Sequence, residues 1–149
     1  MTEEKPKRAA EIAKERLKQY LPLTKEVEQL ELRLEEMEST MYDPRIPAGD
    51  GMPHASGVSD PTGRIVLQKD AIFERYKAKR QQLTDMLIEI EDYMEALTPT
   101  ERMLVRYKYM DGLTWEEVAV AMSYSWTHTH RIHSKALITL GIEMAKAQG

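Results

Sequence analysis

Between Leu97 and Leu140 the chain reads LTPTERMLVRYKYMDGLTWEEVAVAMSYSWTHTHRIHSKALITL, and this stretch restricts the fold more than any other. Thr114 stands three residues before Glu117, the spacing at which side chains and backbone satisfy each other's unpaired groups at a helix start. Val118 and Met122 follow one turn apart on one face, with small Ala119 beside them where a second helix has to come close. Ser125 is then placed to cap a new helix whose inward positions fall at Thr129, Ile132 and Ala136. The expected product is a helix-turn-helix. Its second helix, 125–137, has the form of one that enters a DNA groove.

Taking Thr129 as inward, Thr127, Arg131 and Ser134 point most directly outward. His128 and Lys135 flank them on one side and His130 on the other. Arg131 can bond a guanine edge through two donors, and Thr127 can accept a hydrogen bond or touch a thymine methyl. Trp126 is expected either to pack against its neighbours or to touch DNA, and Trp115 to pack. A net charge of −4 argues against a polyanionic partner until its distribution is considered. Residues 97–149 carry 6 basic and 5 acidic side chains, against 8 and 10 in 1–42 and 7 and 10 in 43–96. From Trp126 to Leu140 there is no acidic residue, while Arg131, Lys135 and three histidines are present. Salt screens charges beyond about 10 Å, so this local bias can serve where the net charge opposes.

The histidines also raise the question of a metal. His130 and His133 are spaced to chelate zinc on a helix, but His128 points elsewhere and no cysteine or close carboxylate completes a set. No metal and no cofactor are expected. Phosphate contact, strengthened on protonation, is the better use of the three. Neighbouring carboxylates such as Glu116-Glu117 and Glu35-Glu36 do not face each other on a helix, and no nucleophile motif or glycine-rich phosphate loop is present. The reading excludes an enzyme.

Upstream, residues 1–22 are rich in lysine and glutamate with weak helical spacing (Ile12, Leu17, Leu21), which predicts a tail or frayed helix interrupted at Pro22. From Leu23, Val27, Leu30, Leu34, Met37 and Met41 alternate steps of four and three, a heptad seam. Residues 43–63 hold four prolines and four glycines and read as a loop, either a plain connection or a partner-binding segment. A second long helix is expected from about Arg64 towards Ala96, with Tyr76, Leu83, Ile90 and Leu97 in one seven-residue row. Two such helices most simply pair antiparallel, although the 21 residues between them could also span a parallel crossing, and either way the seam can also serve dimerisation. Thr98-Pro99 ends the second helix and caps the next. The fold class is therefore all-α: a coiled-coil-like long-helix pair in 23–96, a helix-turn-helix in 97–141 and a tail in 142–149. No run approaches eighteen apolar residues, the N-terminus lacks a signal peptide's apolar core and cysteine is absent, so a soluble cytoplasmic protein is expected.

The segments LTPTER, RY, GLTWEEVA, YS and RIHSKAL resemble, in order and spacing, region 4 of bacterial sigma factors, the module that reads the promoter −35 element. Ser123 stands where that family usually has glycine, and Thr129 where it has an aliphatic residue. Nothing upstream of Leu97 resembles the region that melts the −10 element. The middle, GDGMPHASGVSDPTGRIVLQKDAI, is similar to phage-encoded regulators of the RinA and ArpU type. The resemblance implies DNA contacts at Trp126, Thr127, His130 and Arg131, and support of the fold or phosphate contact from Arg102, Arg106 and their neighbours. With Thr114 and Arg106, the expected DNA-contacting set is Trp126, Thr127, His128, His130, Arg131, Ser134 and Lys135. It further implies an activator of phage or prophage late genes, with RNA polymerase as a partner and a homo-oligomer formed through the helical half. Two other classes fit the same elements. One is a DNA-packaging component like the small terminase subunits, and the other a helical protein-interaction module with a degenerate helix-turn-helix.

Overall fold

The computed structural model of the protein describes residues 4–41 and 61–148. All elements in them are helical: α1 (Glu4–Leu17), α2 (Tyr20–Met41), α3 (Pro61–Met94), α4 (Pro99–Val105), which runs on into a π-helical turn at Arg106–Met110, α5 (Trp115–Met122) and α6 (Trp126–Gln148). The chain forms two compact units, one of Met1–Thr24 with Leu83–Gly149 and the other of Lys25–Gln82. The expected all-α class is what the structure shows. Most of the expected 43–63 loop lies outside the described residues, and its last three positions open α3.

In the unit of 25–82, α2 and α3 run antiparallel. Glu26 pairs with Lys79 at 3.4 Å, and Tyr76 donates to Glu31 at 2.7 Å, so positions rise along one helix as they fall along the other. Val27 is buried there, whereas Leu30, Leu34, Met37, Ile72 and Tyr76 are only half-buried.

The larger unit has a continuous core. Leu17, Ile90, Met94, Leu104, Val105 and Leu140 are almost fully buried, with Leu23, Met86 and Leu137 close behind. Of the two forms expected for residues 1–22, a tail or a helix, residues 4–17 take the helical one: α1 is packed, with Ala13 and Leu17 buried. Pro22 does not interrupt a helix. It sits in the first turn of α2, where a backbone N–H has no intrahelical partner and its absence costs nothing. The second helix of the motif also continues past 137 and through the expected 142–149 tail to Gln148, because Leu137, Leu140 and Met144 extend its buried face.

Gly141 explains the packing of α1 and the length of α6. It lies inside α6, where glycine ordinarily weakens a helix. An alanine Cβ at this point would press into the backbone of Ala9, chiefly its carbonyl oxygen. The two helices therefore touch backbone to backbone, and the inward face of α1 is made of small residues at Ala9 and Ala13. Gly141→Ala should lower stability by about 1–3 kcal/mol in urea or thermal unfolding. Ile142→Ala, on the exposed side of the same helix, should stay within about 0.5 kcal/mol of wild type.

Candidate nucleic-acid interface

Helix α5 starts with the reciprocal cap that its sequence predicts. Thr114 Oγ1 accepts from the Glu117 backbone N–H at 3.2 Å, and Glu117 Oε1 accepts from the Thr114 N–H at 3.2 Å. The helix ends at Ser123 in the left-handed region (φ 58°, ψ 40°). There the Ser123 N–H bonds the Val120 carbonyl at 3.1 Å and the Tyr124 N–H bonds that of Ala119 at 3.0 Å. This pair of bonds closes a helix end through a left-handed residue, usually glycine. Serine takes the position at some conformational cost.

The chain then turns directly into α6. Ser125 Oγ accepts from the His128 N–H at 3.1 Å, so the predicted cap is present. Thr129 is fully buried, and its hydroxyl donates to the Ser125 carbonyl at 2.8 Å. That bond lets a polar residue occupy an inward position without an unpaired group. With Thr129 fixed inward, Trp126, Thr127, His128, Arg131, Ser134 and Lys135 are all exposed. Trp126 is 52% exposed and packs one side of its ring on His130, centroids 4.3 Å apart, so packing and exposure coexist in one residue.

The three histidines separate. His128 lies on the exposed side with Tyr124 edge-on at 4.6 Å. His130 is half-buried between Trp126 and Trp115, and its Nε2 is shielded without a hydrogen-bond partner among the described residues. His133 is buried, with its Nε2 hydrogen-bonded to the Tyr109 hydroxyl at 2.6 Å and Trp115 edge-on at 4.4 Å. Burial, then His130, Lys14 and Lys108, push its pKa down to about 4. Burial, then the Glu11 carboxylate, push the Tyr109 phenol up to about 12. Both partners are thus held neutral, which suits a phenol donating to an imidazole. The expectation that all three histidines meet phosphate fails for His133, because a buried imidazole resists the charge that contact would need.

Two other expected contacts are engaged elsewhere. Thr114 uses its hydroxyl in the cap, although the residue is exposed. Arg106 donates to Glu91 of α3 at 2.8 Å, which offsets its charge. Lys108, one of the neighbours of Arg106, is firmly placed. Its ammonium lies 4.8 Å from the Trp115 ring centroid and donates to the Leu113 carbonyl at 3.2 Å. The π-helical turn puts it there. No spacing rule announces such a turn. Among the described residues no group of three or more histidines or carboxylates converges in a way that could hold a metal ion, and no helix is long and apolar enough to cross a membrane.

No protein-family model, curated protein or solved structure matches this chain.

The Tyr109–His133 pair carries a pH signature. Below about 6.5 the unfolded chain protonates this imidazole, whereas the folded chain resists until about 4. The unfolded state then binds more protons, so stability falls as pH drops through this window. The loss attributable to His133 should be on the order of 3 kcal/mol between pH 7 and pH 4. His133→Gln should lower stability at pH 7 and show a flatter decline with acid, measured by urea unfolding at stepped pH. Equal pH slopes for the two proteins would show that His133 is not the group involved.

Proposed function

We propose that this protein is a sequence-specific DNA-binding transcriptional regulator of the bacterial cytoplasm, an activator of phage or prophage late genes. One observation carries the reading. A reciprocally capped helix, a left-handed turn and a second capped helix leave Thr127, Arg131, Ser134 and Lys135 exposed together, on a stretch from Trp126 to Leu140 without a carboxylate. The outward side chains are those that can bond base edges and phosphates in a major groove. The modest charge of the face points to weak binding by one copy. Pairing of two copies would raise affinity and set half-site spacing. The half-buried seam of Leu30, Leu34, Met37 and Ile72 is apolar surface that a second chain would cover. Recruitment of RNA polymerase follows from the sigma region 4 resemblance and belongs to the same proposal.

The test is selection of genomic fragments on the full-length protein, followed by footprinting of the recovered site. Arg131→Ala should then cost about 1–3 kcal/mol in binding and relax preference at one base position. A variant that keeps both affinity and preference would remove α6 from the base-reading role.

A further inference from the structure

Helix α1 brings to this unit a set of charges that the motif itself lacks. Lys7, Lys14 and Lys18 are spaced by seven and four residues, which puts them on one face of the helix. With α1 packed on α6, that face lines a cavity of about 620 Å³ that Lys108 of the π-helical turn also lines. Glu11 is the one carboxylate among the described residues around it. Two arginines of the same unit are neutralised, Arg16 by Glu89 and Arg106 by Glu91. The four lysines form no ion pair among the described residues. Lys14 and Lys108 are close enough to His133 to oppose its protonation, so their fields overlap in the cavity. Cations gathered around one concavity repel each other, and a polyanion relieves that repulsion.

The cavity is continuous with the outward face of α6. His130 and Ser134 form part of its wall, and Ser134 lies one turn beyond Arg131. We infer that Lys7, Lys14, Lys18 and Lys108 form a phosphate-binding wall that takes the sugar-phosphate backbone of duplex DNA beside the groove entered by α6. The inference rests on the DNA-binding reading and extends the interface to a helix outside the motif. Such contacts fix the orientation of the protein on the duplex and carry no sequence information.

The salt dependence of binding isolates this contribution. Affinity of the full-length chain is measured against salt for the selected duplex and for a random duplex of equal length. Each phosphate neutralised contributes about 0.9 to the slope of log affinity against log salt. Lys14→Gln with Lys18→Gln should therefore lower the slope by about 1.8 on both duplexes and leave the preferred sequence unchanged. Lys14→Arg with Lys18→Arg should keep the wild-type slope. Lys7→Gln alone, at an exposed position, should lower it by about 0.9 and guards against misfolding of the double variant. Lys146→Gln, at the far end of α6, should change nothing. An unchanged slope in the glutamine variants overturns the lysine wall while leaving the DNA-binding reading in place. No salt-dependent duplex binding by the wild type overturns both. Saturable binding of inorganic phosphate that does not compete with duplex would assign the cavity to a free anion and overturn the backbone assignment.

Discussion

The backbone contact between α1 and α6 at Ala9 and Gly141 is the constraint on which the larger unit depends. A side chain at 141 would separate the helices, so the alanine face of α1 and the glycine of α6 are two halves of one solution. Close approach lets Ala13, Leu17, Leu137, Leu140 and Met144 share a core with Met94 and Leu97 of the α3 end. That core anchors the second half of α6. The first half needs only its cap and the inward Thr129 to hold its position, and its opposite face stays open to solvent.

The aromatic side chains join these two halves. Trp115 lies at the start of α5 and touches both His130 and His133, while Tyr109 holds His133 from the π-helical turn. Two elements therefore fix the rotation of α6 about its own axis, and with it the direction in which Arg131 and Lys135 point. The base-reading role proposed for α6 would need side chains held in register, and locked neighbours supply that. His133 serves this purpose through neutrality, whereas His128 on the exposed side keeps the freedom to meet an anion.

Local chemistry was legible in the sequence wherever it is local in the structure. The Thr114–Glu117 cap, the Ser125 cap, the inward Thr129 and the Thr98-Pro99 start all follow from spacing and residue type. The packing of α1 was legible only in part, because Leu17 is buried but Ile12 is exposed and the rest of the inward face is alanine. The length of α6 was hidden for a related reason. Gly141 reads as a helix end until a partner helix gives it a purpose. The fate of His133 depended on Tyr109, 24 residues away, and on a π-helical turn that no periodicity reports. The lysines of α1 were visible as charges, but their position beside α6 is a product of tertiary packing.

Amide chemical-shift mapping of the full-length protein on titration with the selected duplex tests the central claim most directly. The account predicts that the largest changes fall between Trp126 and Lys135, with smaller ones at Lys14, Lys18 and Lys108. Amides of the α2–α3 seam between Lys25 and Gln82 should move little at constant oligomeric state. Changes confined to that seam, or an unmoved α6 at saturating duplex, would contradict it.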